Sequence, residues 1–160
     1  MVNNIVLDTN CLIASLSKKG NYFKVWTDLH KGKYILCVSN EILTEYEEII
    51  SLKTNPIIAA NVVQTLLNSP FVRLINPYFQ FNLIEKDKDD NKFVDCAIAA
   101  NASFIVSEDS HFKILKNIPF PDVRVIRLAQ FVHILEGHKP YDIQDSSINM
   151  VNEEPGNYNE

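Results

Sequence analysis

Short apolar runs and amphipathic stretches alternate along the chain. NNIVLDTN is a run of β-branched and aliphatic residues with the length of a buried strand, and KYILCVS, FVRLI, SFIVS and VRVI repeat that signature. Between them the apolar spacing is helical. CLIASLSKKG is stopped by Gly20 and YFKVWTDLHKG by Gly32. NEILTEYEEIISLK follows Ser39, a good N-cap; Pro56 opens a helix running to Asn68, and Pro70 follows its end. The helix NKFVDCAIAANA, a short helix near HFKILK and the helix LAQFVHILEG complete the series. The segment from Pro77 to Asp89 is poorly patterned and ends in the charged cluster EKDKDD. Alternation of this kind predicts an α/β fold, a three-layer α/β/α sandwich around a central parallel sheet. Residues 1–140 form its single domain, and the polar, acidic residues 141–160 are expected to be an irregular tail.

Four acids fall where such a fold converges. Asp8 ends the first strand and Asp109 follows the fourth; Glu45 lies on the third helix and Asp90 opens the fifth. Ligands bind beyond the carboxyl ends of parallel strands, so these residues point to one edge. At ~100° per residue, Ile42, Leu43, Tyr46, Ile49 and Ile50 form one stripe, with Glu45 at its border and Glu41, Glu47 and Glu48 nearer solvent. The same geometry groups Asp90 with Phe93, Val94, Ala97 and Ala100 and sets Asp95 on the other side, which leaves Asp95 a second choice. Clustered carboxylates repel, and burying them unpaired costs several kcal/mol or more. A hard divalent cation, Mg²⁺ or Mn²⁺, relieves this.

Each residue also has an ordinary reading. Asp8 and Asp90 could cap helices, Asp109 could sit in a turn, and Glu45 alone reads as a surface charge. Asn10 either caps the first helix or bonds to the carboxylates; Ser107 either orients Asp109 or finishes its strand. His111 reads as a surface histidine after a turn, and Phe23 and Trp26 as core residues rather than a base-stacking platform.

Charge changes the picture modestly. The net charge of −5 arises in the tail, where Asp142, Asp145, Glu153, Glu154 and Glu160 stand without Lys or Arg; the remainder has 15 basic and 15 acidic residues. Lys18 to Lys33 carries five lysines and His30 against Asp28 alone, either a phosphate-contacting patch or a solvated helix face. Cys11, Cys37 and Cys96, dispersed in apolar segments, read as reduced buried thiols. No apolar run approaches the ~20 residues of a bilayer span, and the N-terminus lacks a basic-then-apolar leader, so a cytoplasmic protein without membrane contact is expected. No phosphate-binding glycine loop, GxGxxG, serine-histidine-aspartate order or zinc spacing is present, which argues against nucleotide hydrolysis, dinucleotide redox and zinc chemistry.

LDTNCLI, SNEILTEYEEII and DKDDNKFVDCAIAANASFIVSEDSHF resemble the three signature blocks of PIN domains, from about Ile5 to about Phe131. The likeness is to the bacterial branch whose members are toxin components of toxin–antitoxin pairs. It implies a PIN-like sandwich and a Mg²⁺- or Mn²⁺-dependent endoribonuclease. The family's four acids match Asp8, Glu45, Asp90 and Asp109, with Asn10 and Ser107 as supporting positions. The third block also offers Asp87, Asp89 and Asp95, so its register is open. The fourth block reads Ser-Glu-Asp-Ser-His where the family more often has Thr before a less charged residue. Such an enzyme would leave a 5′-phosphate and a 3′-hydroxyl on RNA, with a protein antitoxin as partner and a homo-oligomer, a dimer, as its assembly. Two rivals stand beside it. A phosphoryl-accepting receiver-like domain needs a lysine after a late strand, for which Lys113 is poorly placed. A non-catalytic metal- or RNA-binding PIN-like module would hold metal or a partner without turnover.

Overall fold

Five runs of branched and aliphatic residues pair as one parallel sheet in the computed structural model, which describes residues 3–84, 88–118 and 122–138. The strands are β1 (Asn3–Leu7), β2 (Tyr34–Val38), β3 (Val72–Leu74), β4 (Phe104–Val106) and β5 (Val125–Ile126), in the order β3-β2-β1-β4-β5. Helices α1 (Thr9–Ser15) and α2 (Phe23–His30) link β1 to β2; α3 (Asn40–Lys53) and α4 (Pro56–Asn68) link β2 to β3. Helix α5 (Asn91–Ala99) precedes β4, a 3₁₀ segment (Ser110–Asn117) follows it, and α6 (Leu128–Leu135) follows β5.

Alternation along β2 separates the two helical layers. Tyr34 points toward α2 and α6, donating its hydroxyl to the Val25 carbonyl at 2.7 Å and meeting Phe131 edge to face. Cys37, of opposite parity, lies toward Cys96 on α5. Both faces are therefore covered, as all-parallel sheets require. Tyr46 on α3 is fully buried and donates to the Leu7 carbonyl, which ties that helix to the end of β1.

Local chemistry sets the ends. Ser39 Oγ accepts the Ile42 N–H, and Asn55 Oδ1 accepts the Ile58 N–H beside Pro56 at the first turn of α4. Helix α5 stops through Asn101 at φ 50°, with the Ala102 N–H returning to the Ala97 carbonyl at 2.8 Å. Gly32 adopts φ +73° after α2, where a Cβ would meet the Phe71 ring at 2.7 Å. Two expected helices come out differently. Helix α1 ends at Ser15 rather than at Gly20, because Ser17 to Gly20 are exposed and have no apolar face to bury. The segment near HFKILK is 3₁₀, burying only Phe112 and Leu115.

The strand order reverses beside β1. The chain steps outward from β1 to β2 and β3, then returns to place β4 on the other flank of β1. The crevice beyond the carboxyl ends of β1 and β4 is thus the topological switch point. Leu7 pairs with Val106, so the next residues along, Asp8 and Ser107, emerge side by side. The tail from 141 to 160 lies outside the described residues, as does Asp87.

Candidate functional site

Asp8 leaves β1 with its N–H bonded to the Val106 carbonyl at 3.0 Å, which fixes its backbone against β4. Its carboxylate accepts the Thr9 N–H at 2.8 Å and the Ser107 hydroxyl at 2.8 Å. Ser107 in turn accepts the Asp109 N–H at 3.0 Å, so one hydroxyl joins two of the acids. Ser107 is 3% exposed and Asp8 7%, too little for water to solvate the charge. Burial consequently pushes the Asp8 carboxyl above the ordinary carboxylate range. The bonds from Ser107 and Thr9 pull the other way, while Asp109 and Glu45 add repulsion. Asp8 does cap α1, through the Thr9 N–H; the cap and the cluster are the same carboxylate.

Asp90, Asp109 and His111 form the second part. His111 Nδ1 lies 3.2 Å from Asp90 Oδ2 and 3.2 Å from Asp109 Oδ1. Asp109 Oδ1 also accepts the His111 N–H at 2.9 Å, which begins the 3₁₀ turn. One donor atom from each of the three residues lies within 4.8 Å of the others. Asp90 occupies the position before α5 in helical backbone, and its side chain makes no capping bond to that helix. His111 is therefore not the surface histidine that the sequence suggested. Its side chain is one-third exposed, and Phe112, fully buried against Phe93, anchors the turn that carries it.

Glu45 reaches the cluster from α3, its charge felt by Asp8, and both of its oxygens are engaged. Thr9 donates its hydroxyl to Oε2, and Lys92 Nζ lies 2.7 Å from Oε1. Neither Thr9 nor Lys92 stood out in the sequence, where a lysine two residues after Asp90 reads as an ordinary solvated charge.

The structure separates the remaining acids. Asp95 is buried on α5, accepts the Phe81 N–H at 3.0 Å, and has its pKa raised by burial, with Glu41 adding repulsion. Together with Glu41, Gln80, Asp89 and Lys92 it lines a polar groove. Asn10 is exposed and its Oδ1 lies 3.4 Å from Lys53 Nζ, a contact outside the acid cluster. Trp26 packs against the core beside His30. In the lysine-rich stretch, Lys24 pairs with buried Asp28 at 3.0 Å, whereas Lys18, Lys19, Lys31 and Lys33 are exposed.

Hard carboxylate oxygens with one imidazole, gathered within a few ångströms, fit a divalent cation of the Mg²⁺ or Mn²⁺ type. Among the described residues, no helix is long and apolar enough to cross a membrane.

Residues 4–111 match the family model described as PIN domain. No curated protein matches the chain. Among solved structures, VapBC2 from Rickettsia felis, bound to a DNA fragment from its promoter, aligns with a TM-score of 0.55 at 17% identity, over 78% of this chain and 98% of that one. DNA-bound VapBC from Salmonella typhimurium aligns with a TM-score of 0.51 at 15% identity, over 80% and 99%. At these identities the likeness is one of fold.

Proposed function

The chain belongs to the PIN-domain family, and we propose that it is a divalent-metal-dependent endoribonuclease acting through Asp8, Asp90 and Asp109, with Glu45 at the margin of the site. The observation that carries this reading is the junction at the switch point, where Ser107 joins Asp8 to Asp109 and His111 joins Asp109 to Asp90. Bound Mg²⁺ or Mn²⁺ supplies Lewis acidity toward the phosphodiester and an activated water.

The chain's own residues prepare that chemistry. Asp8, Asp90 and Asp109 offer the oxygen donors. The Ser107 hydroxyl holds Asp8 and the Asp109 backbone in one orientation, so less ordering is left for the ligand to impose. Lys92 neutralises Glu45 and keeps a fourth negative charge from adding fully to the repulsion at Asp8.

We assign the protein the toxin role in a toxin–antitoxin pair, with a protein antitoxin as partner and a dimer as its assembly. The support is the resemblance of its three sequence blocks to that bacterial branch. The exposed Leu52, Ile57, Ile58 and Leu67 on the α3–α4 hairpin suit a protein contact. Induced expression should arrest growth for the wild type and not for Asp8→Asn.

The deciding assay incubates purified protein with a mixed RNA pool in Mg²⁺, Mn²⁺ or EDTA and maps the product ends. Metal-dependent cleavage leaving 5′-phosphates, lost in Asp8→Asn, is expected. Cleavage that survives EDTA and leaves 2′,3′-cyclic phosphates would overturn the reading and point to His111 and Lys92 instead. The Lys92–Glu45 pair favours a second reading, a non-catalytic PIN-like module, because one carboxylate already has its counter-charge. Metal binding without turnover on any RNA would select it.

A further inference from the structure

We propose that His111 is itself a metal-ligating residue, its Nδ1 joining Asp90 and Asp109 around one divalent ion and biasing this site toward Mn²⁺ over Mg²⁺. The proposal rests on the metal-site reading above and adds a nitrogen donor to it.

Geometry is the first argument. Two ligands at right angles about an ion ~2.1 Å from each stand about 3 Å apart. His111 Nδ1 lies 3.2 Å from Asp90 Oδ2 and 3.2 Å from Asp109 Oδ1, close to that spacing on both sides. All three donor atoms lie within 4.8 Å of one another, which admits a shared ion after small side-chain adjustments. The second argument is positioning. The His111 backbone N–H is bonded to Asp109, and the next residue, Phe112, is fully buried against Phe93. The backbone that carries the imidazole is therefore fixed beside the cluster by the fold. The third is chemistry. Imidazole suits transition metals, whereas Mg²⁺ prefers carboxylate, carbonyl and water oxygens. An imidazole added to carboxylate donors therefore raises affinity for Mn²⁺ more than for Mg²⁺.

The test is pulsed electron paramagnetic resonance on the full chain loaded with Mn²⁺, together with calorimetric titrations of Mn²⁺ and Mg²⁺. Wild type should show ¹⁴N modulation from a directly bound imidazole, and His111→Gln should lose it. The same substitution should weaken Mn²⁺ binding about tenfold or more while changing Mg²⁺ binding less, so the preference for Mn²⁺ falls. His133, Glu136 and His138 at the end of α6 also bring donor atoms within 4.8 Å of one another, so a His133→Ala/His138→Ala protein controls for nitrogen from there. It should keep the modulation. If Mn²⁺ binding is lost in Asp90→Asn but neither the modulation nor the affinity changes in His111→Gln, His111 is only a hydrogen-bond partner and the carboxylate site stands. If wild type binds no Mn²⁺ at all, both readings fail together.

Discussion

Replacing Asp8 by Asn removes one charge and keeps the shape of the side chain. In the native site the carboxylate accepts one bond from the Thr9 N–H and one from the Ser107 hydroxyl, each 2.8 Å. An amide oxygen can keep the first. An amide N–H can donate to Ser107 Oγ, a hydroxyl oxygen with two acceptor positions, one of them taken by the Asp109 N–H. Residue 8 keeps its two bonds; what is lost is their charge assistance, about 1 kcal/mol each, and the Ser107 O–H must turn to another acceptor. Against this stand the burial of the charge and its repulsion by Asp109 and Glu45. These outweigh the bonds, since the Asp8 pKa is raised overall, and each unit of pKa is worth ~1.4 kcal/mol. Metal-free Asp8→Asn should therefore match the wild type or exceed it by about 1 kcal/mol, which is ~2–4 °C in Tm for a chain of this size. The advantage has a definite pH dependence. With the folded pKa above the unfolded one, wild-type stability rises as pH falls through the folded value, so the difference narrows in acid and is fully present at neutral pH. Divalent metal should reverse the order. At about ten times Kd it adds ~1.4 kcal/mol to the wild type through binding to the folded state alone, and little to the variant. Monovalent salt at matched ionic strength should not reproduce that gain. Melting curves in EDTA and in Mn²⁺, at neutral and acidic pH, test each step. A variant melting several degrees below wild type in EDTA, or gaining the full Mn²⁺ shift, would refute the reasoning.

Lys92→Met should destabilise by about 1–2 kcal/mol, more than an exposed pair warrants, because it leaves the half-buried Glu45 charge uncompensated beside Asp8. Adding Glu45→Gln should restore most of that loss in denaturant unfolding, and a purely additive double variant would refute the coupling. Asp90→Asn should weaken Mn²⁺ binding by about tenfold or more, whereas Asp95→Asn, whose carboxylate serves the Phe81 N–H, should change it less than about twofold. Equal losses by calorimetry would mean that Asp95 belongs to the site. Tyr46→Phe leaves the ring in place and removes only the hydroxyl bond to Leu7, so denaturant unfolding should show a loss of about 1–2 kcal/mol. A loss near zero would mean that the α3–β1 tie is not a stability element.

Much of the fold was legible because the chain punctuates itself. Helix α3 begins after Ser39 and α4 after Asn55 and Pro56, where capping side chains and a fixed proline φ leave little freedom in the start. Strand positions followed from apolar runs too short for helices. The ends were harder to read where the limit is set by tertiary burial rather than by a residue type. Helix α1 could run to Gly20 on local pattern alone, yet it stops when its buried face ends at Ser15. The strand order had no local signal at all. Nothing in VRLI or SFIV announces that β3 sits at an edge and β4 beside β1; only the pairing of Leu7 with Val106 shows it.

The site divides along the same line. Asp8, Glu45, Asp90 and Asp109 could be named from strand ends and helix faces, and Ser107 as a support for Asp109, but the parts played by Lys92 and His111 could not, since they arise from contacts between separate elements. Those contacts also differ from acid to acid. Glu45 has an ammonium at 2.7 Å, and Asp90 and Asp109 share an imidazole at 3.2 Å. Asp8 has a hydroxyl and a backbone N–H, neutral dipoles that offset burial only in part, which is why its pKa stays raised. The ionised form of Asp8 is therefore disfavoured by its burial. A divalent charge nearby would stabilise that ionised form more than any rearrangement of neutral donors could, since attraction between opposite charges is strongest where water is excluded. Folding thus leaves at Asp8 an electrostatic deficit that a bound cation would relieve, so the rise of the melting curve with metal should shrink in Asp8→Asn as it does in Asp90→Asn.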